Sequence, residues 1–140
     1  MFTTTDLTPE IIHSAASAIP GDEPVVMVNL LQYFDRTSYP GDNGHPLSGR
    51  EVYLRHYIPA FNAVAEAVGV RIRVIHLGAV AAKLVAPEKA NWTDVGIIGY
   101  PDFASFRKVI ENQRYLDEAE PHRVAALQNW RLFATIPLSL

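Results

Sequence analysis

The most continuously apolar run of the chain extends from Pro24 to Tyr33 and is interrupted by one amide, Asn29. Its valines favour a β-strand, and both of its alternating sets of positions are apolar. We therefore expect a strand that is buried on both faces. A buried amide needs hydrogen-bond partners, so Asn29 either orients a ligand carbonyl or bonds neighbouring backbone or a tyrosine hydroxyl and fixes the core.

A long amphipathic helix is predicted between Ser48 and Gly69. Ser48 and Glu51 have the spacing of a capping box, which marks a helix start, and Gly69 is a left-handed C-cap candidate. Pro59 lies toward the polar side of this helix, where it predicts a bend rather than a break. At about 100° per residue, the apolar positions fall on one face. That face contains Tyr53, Tyr57, Ala60, Phe61, Val64, Ala67 and Val68.

The rest of the pattern predicts three more strands and two more helical segments. Strands are indicated over 70–86 and 92–100, and they pair antiparallel because their connection is too short for a crossover helix. Asp102 is the N-cap of a helix that extends over 102–112. A broken helical segment covers 115–128, and the last strand covers 130–138.

One further helix precedes the first strand, with Thr8 as its N-cap and an end near Ile19. We assign residues 1–23 to an N-terminal helical arm and residues 24–140 to a single domain. Beyond the arm, the order of elements predicts an α+β fold, a ferredoxin-like βαββαβ antiparallel sheet with helices on one face. The other apolar face then needs a cover, and we expect a homodimer formed through this sheet face.

Parts of the chain resemble a known family. The similar segments are the strand 25–31, the helix 53–69, the block 92–106 and the stretch 115–127. They resemble the uncharacterised domain-of-unknown-function 1330 family of the dimeric α/β-barrel superfamily. The resemblance implies a ferredoxin-like protomer whose sheet pairs with a second copy to close a barrel, and it implies no established activity. The N-terminal arm and the long 34–49 loop depart from the short members of that family.

Composition narrows the chemistry. The 140 residues include no cysteine, which excludes disulfides and thiolate metal sites. The net charge is −3 and the arginines are scattered, so the sequence predicts no nucleic acid partner. No segment reaches the roughly 18 apolar residues of a membrane span, and the N-terminus does not have the pattern of a signal peptide. We therefore expect a cytoplasmic protein without a cofactor and without membrane association.

Aromatic side chains dominate the candidate ligand-binding residues. Tyr53 and Tyr57, one turn apart, direct rings and hydroxyls toward the predicted sheet, where they either complete the core or line a pocket. Trp92 stands beside Asp94 at the start of a strand and either walls a pocket or caps the core. The candidate ligand-binding residues are Asn29, Tyr53, Tyr57, Phe61, Trp92 and Phe106.

His56 and His76 are the candidate catalytic residues, because histidine changes its charge near neutral pH. Neither has a carboxylate at a motif spacing, so each is alternatively a structural residue. The 34–49 loop is dense in turn formers and is interpreted either as a lid or as a surface loop without a role. Its His45 is relevant only if the loop closes over a site.

Two classes of function agree with these residues. The first is a pocket for a small, largely apolar or aromatic molecule, with cofactor-independent oxygenase or isomerase chemistry in which His56 or His76 is the base. The second is a non-catalytic homodimer that binds a metabolite or supports another protein. Haem binding ranks below both. Asn29 and Trp92 match two positions that haem-degrading relatives use, but the predicted helix 102–112 contains no histidine.

Overall fold

The fold is a four-stranded antiparallel sheet with helices packed on one face. A computed structural model describes residues 6–40 and 47–140. The strands are β1 (Val25–Tyr33), β2 (Arg73–Ala79), β3 (Asp94–Tyr100) and β4 (Leu127–Thr135). Their order in the sheet is β2-β3-β1-β4, and each neighbouring pair is antiparallel. The predicted α+β architecture and the predicted antiparallel pairing of β2 with β3 are therefore confirmed.

Six α-helices and one π-helical segment are described. Pro9–Ala16 forms α1, and the long helix after β1 consists of three consecutive parts. These parts are α2 (Gly49–Val52), the π segment (Tyr53–Tyr57) and α3 (Ile58–Ala67). The helices after β3 are α4 (Phe103–Ile110), α5 (Gln113–Glu118) and α6 (Glu120–Ala126).

Strand β1 lies at the centre of the sheet and has two unlike faces. Val25, Met27, Asn29, Leu31 and Tyr33 are buried against the helices, and the residues between them are only partly buried. The inner face is therefore buried as expected, and burial of the outer face, which is expected from a second copy of the chain, stays a prediction. The single chain supplies helices for one face only, and the pleat directs alternate side chains away from them.

The long helix begins as predicted and contains a widened turn before its proline. Ser48 and Glu51 form both hydrogen bonds of the capping box. In the π segment, the N–H of Ile58 donates to the carbonyl of Tyr53, one residue further back than in an α-helix. Pro59 then falls in the first turn of α3, where its missing N–H is tolerated. The bend near Pro59 stays a prediction, and π turns are also sites where helices kink.

Several strand boundaries differ from the sequence expectation, including the start of β2 at Arg73 and the end of β4 at Thr135. β2 ends at Ala79, because the segment after it closes on itself: the ammonium of Lys83 donates to the carbonyl of Glu88 and the side chain of Asn91. β3 begins at Asp94 instead of residue 92. β4 begins at Leu127, directly after α6, and so includes three residues that were assigned to a helix or a turn.

Both ends of the 34–49 loop and the N-terminal helix α1 are attached to the main domain. The N–H of Gly49 donates to Phe34, and a Cβ at Gly49 would lie 2.5 Å from the carbonyl oxygen of Ala126, so only glycine fits this contact. Helix α1 ends at Ala16, before the expected Ile19, and buries Ile12 in the common core. Residues 41–46, which include His45, lie outside the described residues.

Candidate functional site

A cavity of about 130 Å³ lies between the inner sheet face and the helices. Aliphatic side chains from the sheet, α3 and α4 supply much of its wall. The cavity faces solvent between α3 and β2, where its wall consists of the exposed residues Asn62, Val74 and Leu77. The aromatic part of the wall consists of Tyr53, Tyr57, Phe61, Tyr100, Phe106, Tyr115 and Trp130.

The π segment places two tyrosines at the cavity. Tyr53 and Tyr57 are its first and last residues, and their ring centroids are 4.9 Å apart. Both side chains are buried and both line the cavity. Tyr57 also packs against Phe61 and Tyr115, so its ring has little freedom to turn away. A short stretch of irregular helix thus supplies the predicted pair of phenols; π turns are frequent at functional sites.

A buried arginine stands behind these tyrosines. The hydroxyls of Tyr57 and Tyr115 are 3.0 Å apart, and the Nε of Arg123 donates to the Tyr115 hydroxyl at 3.3 Å. Arg123 is only 2% exposed, and its guanidinium lies 4.6 Å from the ring centre of Trp130. A charge buried this deeply depends on such hydrogen bonds and on the face of an aromatic ring.

The same tryptophan fixes the amide in β1. The indole N–H of Trp130 donates to Oδ1 of Asn29 at 3.0 Å, and Nδ2 of Asn29 donates to the carbonyl of Gly96 at 3.2 Å. The amide therefore has an indole and a backbone carbonyl as partners, not a tyrosine hydroxyl. Because the indole nitrogen can only donate, the oxygen and nitrogen of the Asn29 side chain are unambiguous.

Two further phenol groups at the cavity have no protein partner among the described residues. They belong to Tyr53 and Tyr100, which are both buried. Burial raises the pKa of Tyr53, Tyr57 and Tyr100 above the ordinary value of 10.0. All three hydroxyls are therefore protonated at neutral pH and available as donors.

Five of the six candidate ligand-binding residues meet at this cavity: Asn29, Tyr53, Tyr57, Phe61 and Phe106. Trp92 does not line it. Trp92 is partly buried ahead of β3, and the guanidinium of Arg131 lies 5.4 Å from its ring centre. Trp130 of β4 supplies the indole at the cavity instead.

The candidate bases lie elsewhere. His56 is exposed, and its ring stacks on that of His122 with centroids 5.5 Å apart. Burial and the neighbouring His56 lower the pKa of His122, whose Nδ1 lies 2.6 Å from the hydroxyl of Tyr39. His76 is exposed on β2, and a Cβ at Gly78 would lie 2.5 Å from its Nε2. Neither His56 nor His76 lines the cavity.

Asp94 is buried at the start of β3 and is fully engaged. Arg50 donates to its two oxygens at 2.6 and 3.2 Å, and the hydroxyl of Tyr33 donates to it at 2.9 Å. Burial and the bond to Asp94 raise the pKa of Tyr33. This cluster ties the beginning of α2 to the sheet, and its carboxylate is not part of the cavity wall.

The N-terminal arm closes the cavity at one end. Leu7, from the segment just before α1, lines both this cavity and a second one of about 350 Å³ between the arm and helices α4 and α5. Ile110 and Tyr115 are the other residues that both cavities share. The arm is therefore part of the wall of the candidate site.

Other kinds of site find little support in the described structure. Within residues 6–40 and 47–140, no cluster of three or more His, Asp or Glu side chains is arranged to hold a metal ion. No helix in the described part of the chain has the length and hydropathy that a membrane crossing requires.

Comparison with known proteins identifies a fold class. No family model matches the sequence, and no curated protein matches it. Two crystal structures of RPA0582, a protein of unknown function from Rhodopseudomonas palustris, resemble the chain with TM-scores of 0.81. One is 29% identical and covers 96% of this chain and 97% of its own. The methylated form is 27% identical and covers 99% and 98%.

Two more distant structures share the fold alone. One is a dabb family protein with a ferredoxin-like fold from Mesorhizobium loti, with 9% identity, a TM-score of 0.53 and coverage of 83% of this chain and 98% of that one. The other is a hydroxynitrile lyase from Passiflora edulis, with 12% identity, a TM-score of 0.56 and coverage of 85% and 97%. The chain is thus a ferredoxin-like α+β protein.

Proposed function

We propose that the protein binds one small, largely apolar molecule in the cavity between the sheet and the helices. The observation that carries this proposal is a cavity of about 130 Å³ whose apolar wall contains buried phenol groups with no described protein partner. An engineered apolar cavity of about 150 Å³ binds benzene, so the volume suits a molecule with about six to eight heavy atoms. Convergent polar groups in an apolar wall are typical of ligand sites.

Binding is supported better than catalysis. A cofactor-independent oxygenase or isomerase would need a base within reach of the ligand. The polar groups of the described wall include the amides of Asn29 and Asn62 and tyrosine hydroxyls, of which Tyr53 and Tyr57 have raised pKa values. The rings of His56 and His76 lie outside this wall. Haem is less suited still, because a macrocycle far exceeds the volume of the cavity.

The binding proposal is tested by filling the cavity from the sheet. Gly96 lines the cavity, and a Cβ placed there meets Leu77 and Asn29 only at 3.6 and 3.8 Å, which are ordinary contacts. Gly96→Val should therefore fold and occupy the cavity. Gly99→Val, on the same strand but on the outer face, is the matched control, with Cβ contacts no closer than 3.5 Å.

The measurement is the shift of the thermal unfolding midpoint by benzene. We expect benzene to stabilise the unmodified protein and Gly99→Val, because a ligand that binds only the folded state raises its stability. Gly96→Val should show no shift. Stabilisation of all three proteins to the same extent, or of none, would contradict binding in this cavity.

We also infer that the protein is a cytoplasmic homodimer and a member of the uncharacterised domain-of-unknown-function 1330 branch. The outer sheet face supports the dimer, because it is apolar and only partly buried. Its apolar residues are Val26, Val28, Leu30, Val95, Ile97 and Phe133. Light scattering should give twice the chain mass of 15.5 kDa. A mass of one chain at micromolar concentration would contradict the dimer.

A further inference from the structure

One phenol proton of the Tyr57 and Tyr115 hydroxyl pair has no acceptor among the described residues. Arg123 has only donors, so it supplies the proton of its bond to the Tyr115 hydroxyl. The hydroxyls of Tyr57 and Tyr115 carry two protons between them, and their mutual hydrogen bond uses one. Whichever of them donates, one phenol proton at the cavity wall has no acceptor among the described residues.

The amide of Asn29 also has one proton without an acceptor among the described residues. Its oxygen accepts from the indole of Trp130, and one of its two N–H groups donates to the carbonyl of Gly96. No described residue accepts from its second N–H. The indole also prevents the amide from turning its oxygen toward the cavity, because a flipped amide would face the indole N–H with its own NH₂ group.

Tyr53 and Tyr100 add two more phenol hydroxyls that no described residue binds. The described part of the wall contains no carboxylate and no imidazole to accept their protons. Arg123, behind Tyr115, pairs with Glu120 at 3.5 Å and adds a further donor to the Tyr115 hydroxyl. The unpartnered hydroxyls face the cavity, so a ligand that brings an acceptor gains hydrogen bonds that the described residues do not supply.

We infer that the ligand is a small carbonyl compound, a ketone, aldehyde or quinone, whose oxygen accepts hydrogen bonds from the tyrosine hydroxyls and the free N–H of Asn29. This inference rests on the proposed binding function and adds the chemical class of the ligand. A carbonyl oxygen brings two lone pairs and no proton. An alcohol of the same shape also accepts, but it brings a proton of its own that needs an acceptor, and a ketone does not. Trp130 and Arg123 are positioning residues, because they fix which atoms face the ligand.

Three probes of one shape separate these possibilities: cyclohexanone, cyclohexanol and methylenecyclohexane. Calorimetric titration should show cyclohexanone binding about fivefold more tightly than cyclohexanol, the ratio that corresponds to one additional hydrogen bond. Cyclohexanol binding as tightly as the ketone would overturn the inference and leave the binding function intact. Failure of all three probes to bind would contradict the binding function itself.

The tyrosine donors are tested with two substitutions that each remove one oxygen atom and break no hydrogen bond among the described residues. In the double variant Tyr53→Phe, Tyr100→Phe, cyclohexanone should bind about tenfold more weakly, and methylenecyclohexane should bind at least as tightly as before. Tyr33→Phe is the control for a buried hydroxyl outside the cavity: it loses its bond to Asp94, and its affinity for both probes should be unchanged. An equal loss for both probes would indicate altered packing and overturn the donor role.

The positioning role of Trp130 has its own readout. Trp130→Phe removes the donor that holds Oδ1 of Asn29, so the amide becomes free to present its oxygen to the cavity. The preference for cyclohexanone over cyclohexanol should then fall toward one. A purely structural role predicts weaker binding of all three probes with the preference unchanged, and that result would remove Trp130 from the assignment.

Discussion

The two faces of the same sheet differ in how their apolar residues are covered. On the inner face, β1 presents Met27 and Leu31 to the helices together with Asn29, whose amide is held by Trp130. On the outer face, the same strand presents Val28 and other apolar side chains that remain partly exposed. The inner face therefore contains fixed polar groups around a cavity. The outer face is apolar from Val26 to Leu30, and its polar side chains include Arg131, Thr135 and His76 on the edge strands β2 and β4.

This difference separates a site from an interface. Polar groups inside an apolar wall cost stability unless they are bonded, so their presence on the inner face points to a ligand. An apolar strand face gains most from burial against another apolar face. The proposed ligand site and the proposed dimer interface therefore lie on opposite faces of the sheet.

The largest expected effect comes from two neighbouring leucines on opposite faces. Leu31 is 0% exposed on the inner face, and Leu30 is partly exposed on the outer face. We expect Leu31→Ala to lower the free energy of unfolding by about 3–4 kcal/mol and Leu30→Ala by about 1 kcal/mol in dilute solution. Urea denaturation measures both. If both variants lost the same free energy of unfolding at low protein concentration, the difference in burial between the two faces would be contradicted.

Removing the buried amide should cost less than removing Leu31. Asn29→Leu leaves the indole N–H of Trp130 and the carbonyl of Gly96 without their partner, at a cost of about 2 kcal/mol. Gln32→Leu, on the outer face of the same strand, is the control and should change stability by less than about 0.5 kcal/mol. A neutral or stabilising Asn29→Leu substitution would show that the amide is not held as described.

Association is tested at Phe133, which is 53% exposed on the outer face. Phe133→Asp should shift the proposed dimer toward monomer in light scattering and change the stability of the protomer by less than about 1 kcal/mol, because β4 is an edge strand. Val124→Asp places the same charge on the helical side at similar exposure, 47%, and should leave the mass unchanged. Dissociation by both variants would place the interface elsewhere.

The smallest effect is expected from pH. Burial raises the pKa values of Tyr53, Tyr57 and Tyr100 in the folded state, whereas an unfolded tyrosine has a pKa of about 10. Above pH 10 the unfolded chain releases protons that the folded chain retains, so stability falls as pH rises. Below that range these groups contribute no pH dependence. Thermal unfolding of Tyr53→Phe should show a shallower loss between pH 10 and 11 than the unmodified protein.

The fold was predictable from local patterns. The capping box of Ser48 and Glu51 and the cap of Ser105 by Asp102 form as the spacing indicates, because both depend only on residues three apart. Strand ends were less predictable, since β2 ends where Lys83 closes a loop through contacts that no periodicity contains. The apolar outer face was also predictable from β1, and its cover by a second copy of the chain stays a prediction.

The candidate site was predictable to the extent that helical periodicity determines it. Tyr53 and Tyr57 face the sheet as expected, but the widened turn that contains them depends on backbone hydrogen bonding around Pro59. Trp92 was favoured because Asp94 stands beside it at the start of a strand, a neighbour that does not determine where its ring lies. In β4, which begins at Leu127, the pleat turns Trp130 inward, where it pairs with Leu31.

The positions of the histidines and of Arg123 relative to the cavity could not be predicted from their residue types. His56 and His76 were chosen because histidine as a residue type changes its charge near neutral pH, which carries no information about distance from a cavity. Arg123 was not chosen, because a short helix such as α6 has too few turns for its buried side to be read from period alone. The sequence feature that could have indicated burial of Arg123 is the apolar stretch that follows it, from Val124 to Leu127.

The π segment also has an evolutionary consequence. Its i to i−5 hydrogen bond accommodates one residue more than a regular helical turn. A relative that lacked the residue corresponding to exposed Leu54 would restore the regular turn and rotate Tyr53 by about 100° relative to Tyr57. The two tyrosine rings would then separate without any change of amino-acid type. We expect insertions and deletions at this turn, more than substitutions, to distinguish relatives that keep the proposed ligand site from relatives that do not.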